Sequence, residues 1–229
     1  MAAVEILAET PGFQRLRDEL IALAMLSADD RVVDVGAGTG LLTLAAARQV
    51  AHVTAIDISA PMCAALRARI ESSQLTNVDV RAADAIDLPL TDGSYDVVVS
   101  NYCLHHLAND QKLLALSEIA RVLRPGGRVV IGDMMFEIGV RTARDRAVLA
   151  KFVRSQLRRG PAGIVRLARN TGRLLEGCSE HPASVEWWAT ALRKSGFVDV
   201  RAWRLAHEGG IAVGCRSRLP IAGAPPESR

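Results

Sequence analysis

Apolar positions along the chain switch between two periods. From Arg15 to Leu26, Leu16, Leu20, Ile21 and Leu26 recur at helical spacing and predict a helix ahead of the apolar run Val32 to Val35. "LLTLAAARQV", which follows the glycines of "VGAGTG", returns to helix-forming residues. Next come the β-rich run "HVTAIDI" and the helix "PMCAALRARIESS", with Ser59 placed to cap it and Pro61 suited to its first turn. "VDVRAADA" and "YDVVVSNYCL" read as a third and a fourth strand, followed by the helix "NDQKLLALSEIARVL", the turn "RPGG" and a fifth strand, "RVVIGDM". Strands separated by helices pair in parallel through right-handed crossovers, so this part predicts a doubly wound α/β sheet. The closing segment breaks the rhythm. The helix "VEWWATALRKSGF" turns at Gly196 into "VDVRAWRLA" and "IAVGCR", and the short "HEGG" loop between those two strands predicts an antiparallel hairpin. The expected architecture is a seven-stranded, mostly parallel sheet with that hairpin at its C-terminal end.

Composition narrows the class. With 229 residues, 49% of them hydrophobic and 23% charged, the chain can build one sizeable core and is expected to form a single domain. Glu5 and Glu9 in the opening stretch do not suit a signal peptide, and no run is apolar enough to span a membrane, so a cytoplasmic location is expected. Cys63, Cys103, Cys178 and Cys215 show no C-x-x-C spacing and suggest neither a zinc site nor a disulfide frame. The net charge of +3 is unevenly spread: ten basic residues stand against the single acid Asp145 between Arg141 and Arg173.

Gly36, Gly38 and Gly40 sit at the carboxyl end of the first strand, where an open parallel sheet binds its ligand. Lacking Cβ atoms, they allow a sharp turn and a close approach to the main chain. A dinucleotide site would require a small residue at position 41, which is Leu41. Asp34, two residues before the first glycine, would repel a pyrophosphate but suits a ligand bearing an amino group or sulfonium. The pattern therefore disfavours a nicotinamide oxidoreductase and favours a small cationic ligand.

"VVDVGAGTG" resembles the first motif of the class I S-adenosylmethionine-dependent methyltransferases, and the likeness continues in order. "VTAIDIS" resembles the second motif, which places Asp57 at the ribose hydroxyls, and Ile58 and Met62 then pack on the adenine. "RAADAIDLPL" resembles the third, with Asp84 and Ala85 at the adenine amino group. "SYDVVVSNYCLHHL" followed by "EIARVLRPGGRVVIGD" is similar to the small-molecule subgroup that includes the quinone-biosynthesis methyltransferases; Asn101 then faces the methionine moiety. The resemblance implies a Rossmann-like methyltransferase fold, S-adenosyl-L-methionine as cofactor and no metal. It divides the chain into an N-terminal helical cap (1–28), a cofactor-binding core (29–133), an inserted basic helical lid (134–183) and the final helix and hairpin (184–218). The activity it implies is methyl transfer to a small organic acceptor; a cofactor-binding protein without catalysis is the alternative.

His106 and His105 are the catalytic candidates, since histidine titrates near neutrality and this loop lies at the mouth of the site. The competing reading is that "LHHL" only shapes the pocket. The sequence favours it, because a sulfonium is already an activated donor and neither ring has an orienting acid nearby in the chain. The basic segment suits a solvated lid, an anionic acceptor, or an anionic membrane surface carrying a lipid or quinone. Nucleic acid is disfavoured, because the sequence shows no RNA-binding module and only 4% aromatic residues. Nothing in the pattern points to a particular oligomeric state.

Overall fold

The computed structural model of the chain describes residues 11–136, 181–206 and 209–218. One seven-stranded sheet runs through them in the order β3-β2-β1-β4-β5-β7-β6. Its strands are β1 (Arg31–Val35), β2 (His52–Asp57), β3 (Val78–Ala82), β4 (Tyr95–Asn101), β5 (Leu123–Met134), β6 (Phe197–Arg204) and β7 (Gly209–Arg216). The first five pair in parallel; β7 lies antiparallel between β5 and β6, as the hairpin pattern predicts.

Helices cover both faces. On one lie α1 (Pro11–Ala24), α2 (Thr43–Ala46) and α3 (Ala60–Ser72): Leu16 and Leu20 of α1 pack with Val32, Val97 and Val130, and Leu66 and Ile70 of α3 pack with Ala55. The other face carries α4 (Asn109–Val122) and α5 (Val185–Lys194), whose Leu116, Ile119, Trp188 and Leu192 bury Val33, Val98, Val129 and Ile131. Strands buried on both faces need near-continuous Val and Ile, which is how β1, β4 and β5 read. Ser59 caps α3 by accepting from the Met62 amide, and the Ser184 hydroxyl does the same for α5 at Trp187.

Two local expectations change. The helix after the glycine loop is four residues long, because the chain must be back in the sheet at His52. Its helical bonds end at Ala47, and the Gln49 amide bonds to the Ala46 carbonyl in a tighter turn. "RPGG" lies inside β5 rather than before it. Leu123 pairs with Tyr95 and Arg128 with Val97, so the residues between are looped out as a bulge, with Gly126 at φ +81°. Among the described residues no helix is long and apolar enough to cross a membrane. Cys63, Cys103 and Cys215 are free thiols, while Cys178, residues 1–10 of the N-terminal cap and residues 137–180 of the basic segment lie outside the described residues.

Candidate active site

Parallel pairing brings the carboxyl ends of β1, β2, β3, β4 and β5 to one edge, and the three glycines, Asp57, Asp84, Asn101 and the two histidines lie at those strand ends or in the loops that leave them. The three glycines are not equivalent. A Cβ on Gly36 (φ +73°) would stand 2.0 Å from the Cys103 sulfur, and one on Gly40 (φ +92°) 2.3 Å from Leu66 Cδ1. Both glycines are required by packing. At Gly38 (φ +53°) a Cβ would meet nothing within 4 Å, so this residue alone opens its face to a ligand.

Asp57 fixes that opening. Its Oδ2 accepts from the Gly38 amide at 2.7 Å and its Oδ1 from the Ser59 amide at 2.8 Å, which ties the end of β2 to the tip of the glycine loop. Ile58, the next residue, is 71% exposed beside this opening, where its aliphatic side chain suits the face of a flat ring. Met62 is half-buried one turn into α3. Across the opening, Asp84 accepts weakly from the Ile86 amide at 3.2 Å, and Ala85 is half-buried beside it; Asp87 is exposed.

Asp34 lies deeper than a direct ligand contact requires. It is 2% exposed, and its Oδ2 accepts from the Thr43 hydroxyl at 2.5 Å. Burial pushes its carboxyl up to about 6 against the pull of the Thr43 hydrogen bonds, and the nearby Asp57 carboxylate adds to the rise. The Asn101 Oδ1 is buried at the end of β4 with no partner among the described residues. A buried acceptor left in this state marks a place where a donor belongs.

The structure separates the two histidines. His106 is exposed, with its ring 4.1 Å from that of His105. His105 is 5% exposed, and its Nδ1 lies 2.6 Å from Oδ1 of Asp133, which is itself 1% exposed. The orienting acid missing from the neighbouring sequence is thus supplied by β5, 28 positions further on. Sequence reasoning passed over Asp133, although a lone acid closing the apolar run "RVVIGD" at the ligand edge was a readable signal. Lys112 was also missed. Its fully buried ammonium donates to the carbonyl oxygens of Leu107 and His181 and to Asn109 Oδ1. Burial pushes the Cys103 thiol far up its range, and the Asp133, Asp57, Asp34 and Asp84 carboxylates push the same way, so this cysteine is no nucleophile. No group of three or more potential metal ligands occurs among the described residues.

Comparison with known proteins places the chain in a family. Residues 32–127 match the family described as "Methyltransferase domain". The demethylmenaquinone methyltransferase of Tropheryma whipplei is 33% identical over 194 residues, covering 82% of this chain and 74% of its own. The 27-O-demethylrifamycin SV methyltransferase of Amycolatopsis mediterranei is 37% identical over 124 residues, covering 53% of this chain and 44% of its own. In fold, a SAM-dependent methyltransferase from Aquifex aeolicus superposes with a TM-score of 0.65 at 18% identity, over 93% of this chain and 97% of that one. The chain belongs to the class I S-adenosylmethionine-dependent methyltransferases.

The residues present fit the cofactor. Gly38 offers an unobstructed face, Asp57 keeps lone pairs beyond its two amide bonds, and Asn101 Oδ1 awaits a donor. When bound, S-adenosylmethionine would bring an activated methyl group on a sulfonium, and Gly38, Asp57 and Asn101 are residues that would hold it.

Proposed function

We propose that the chain methylates a small organic acceptor of the hydroquinone or phenol type, seated beyond Asn101 at the ends of β4 and β5. In this reading Asp57 holds the ribose hydroxyls and Ile58 and Met62 flank the adenine, with Asp84 and Ala85 at its amino group. Gly36, Gly38 and Gly40 form the loop on which the cofactor lies. Asp34 and Asn101 supply the negative potential for its ammonium, and the chain works as a single domain. One observation carries the choice of acceptor: identity with the demethylmenaquinone methyltransferase extends over 82% of the chain, well past the cofactor-binding strands.

The chain's own contribution is alignment. A methyl carbon, its leaving sulfur and the incoming nucleophile must lie in line, and holding them so supplies much of the rate. The test is incubation with isotopically labelled S-adenosylmethionine and a short-chain demethylmenaquinol, beside an aliphatic amine and arsenite. Mass spectrometry should show one labelled methyl on the quinol. Transfer only to the amine or to arsenite would move the acceptor to another class.

A further inference from the structure

We propose that His105 is the proton acceptor of the methyl transfer, with Asp133 as its positioning residue, so that the acceptor is one whose nucleophilic group must shed a proton. This rests on the reading of the acceptor given above and deepens it. The pairing sits at the ligand edge: Cys103, two residues before His105, packs its sulfur where a Gly36 Cβ would be, and Asp133 follows Gly132, which pairs with Asn101.

The chemistry follows from the partners. A buried carboxylate 2.6 Å from Nδ1 takes that nitrogen's hydrogen, which leaves the lone pair on Nε2. Asp133 Oδ1 also accepts from its neighbour's amide, Met134 N, at 2.7 Å, whereas Oδ2 is buried without a partner among the described residues. A carboxylate so poorly compensated gains more from a positive ring than a solvated one would, and a ring that becomes positive during reaction supplies that compensation at the right moment. Lys112 is the other buried cation nearby, and the Asp133 charge works on it against the downward push of burial.

In the step itself the acceptor O–H bond breaks and its proton passes to Nε2. The oxygen pair so freed forms a bond to the methyl carbon, and the electron pair of the breaking C–S bond stays on sulfur, which becomes uncharged. The imidazolium afterwards returns its proton to solvent. A tertiary amine has no proton to lose and draws nothing from this device.

Among the described residues, the titratable and charged groups around the ring and its carboxylate are Asp133 from β5, Tyr102, Cys103 and His106 from its own loop, His181, whose amide donates to the His105 carbonyl, and Lys112 from α4, whose charge interacts with that of Asp133. The experiment reads them together. Nitrogen NMR of the wild-type protein with S-adenosylhomocysteine should show His105 protonated at Nδ1 and bare at Nε2, a result that needs no variant to fold. With 1,4-naphthohydroquinone as probe acceptor, His105→Gln should lower kcat by about 100-fold or more. Asp133→Asn should lower it by about 10-fold or more and shift His105 toward the Nε2–H form. In both, calorimetric affinity for S-adenosylhomocysteine should stay within about twofold, and raising the pH should restore turnover as the hydroquinone ionises unaided. A wild-type ring protonated at Nε2, or variants that turn over within about threefold of wild type, would overturn the proposal. If the wild type methylates dimethylglycine but not the hydroquinone, the acceptor reading has failed instead, and this inference with it.

Discussion

The Asp57 carboxylate accepts the Gly38 amide hydrogen at 2.7 Å, so the residue expected to bind the cofactor's ribose also holds the loop on which the cofactor lies. One side chain therefore orders the cradle and faces its occupant. Asp57→Ala should weaken S-adenosylhomocysteine binding by about 100-fold, the sum of lost charge-assisted hydrogen bonds and a loosened loop. Asp57→Asn should lose less, because the amide oxygen still accepts one of the two backbone hydrogens. Calorimetric titration of both variants checks the order; equal affinities would separate the loop from the ligand.

The glycines divide by cause, and substitution should divide them by effect. Gly36→Ala drives a methyl into the space of the Cys103 sulfur and should cost about 3 kcal/mol or more in a urea titration. Gly38→Val meets open space and should cost roughly 1–2 kcal/mol from its left-handed backbone, yet abolish cofactor binding. A Gly38→Val protein that binds the cofactor normally would remove the cradle from this loop.

Asp34 links pH to both folding and binding. The folded chain holds its proton up to about 6, whereas the unfolded chain releases it near the ordinary 3.8. Its contribution to stability is thus complete below about pH 4 and is lost as pH rises through about 6, a change of about 3 kcal/mol. Asp34→Asn should flatten that part of the profile. Affinity should run the other way: the ionised carboxylate attracts the cofactor's ammonium, so binding should tighten as pH rises through about 6. Thr43→Val removes a hydrogen bond that favours ionisation and should move both midpoints upward. Calorimetry and chemical unfolding across pH read the two effects; an affinity that falls as pH rises through this range would contradict the assignment.

How much of this was legible depended on how local the signal is. β1, β2 and β4 announce themselves because buried parallel strands leave little choice but Val and Ile, and Asp57 follows one of them at a fixed distance from Gly36. The short α2 was less legible. Leucine and alanine propensity favours a long helix after Gly40, but the return to His52 fixes the chain length available. "RPGG" kept its turn character yet was absorbed as a bulge, since strand pairing resumes at Arg128. The His105–Asp133 pair was hidden for a different reason. It depends on β4 and β5 being neighbours, and only the sheet brings positions so far apart in the chain to 2.6 Å.

The basic run between Arg141 and Arg173 gives a test by charge alone. If it recognises an anionic acceptor or surface, replacing Arg154, Arg158 and Arg159 with glutamine should weaken acceptor binding and reduce its salt dependence, with cofactor affinity unchanged. A segment whose charges only face solvent predicts neither change. Kinetics at two ionic strengths distinguish them.

Lys112 anchors the chain where it re-enters the sheet. Its buried ammonium meets oxygens from three places: the Leu107 carbonyl at the end of the histidine loop, Asn109 Oδ1 at the start of α4, and the His181 carbonyl ahead of α5. The His181 amide in turn donates to the His105 carbonyl at 2.6 Å, so the segment leading into α5 is bonded on both sides to the histidine loop. Lys112→Met keeps the aliphatic volume but leaves those neutral oxygens without their donor, which should cost about 1–3 kcal/mol of stability. The damage should be regional. Hydrogen exchange should speed at the His181 and Trp188 amides while those of β1 and β2 stay protected, because the lysine holds one edge of the fold and not its centre. Lys112→Arg should not rescue it, since a planar guanidinium cannot reach three oxygens arranged around a point charge in a site with no spare room. Uniformly faster exchange across the whole sheet would show that Lys112 supports the core in general and does not latch this segment to the loop that carries His105.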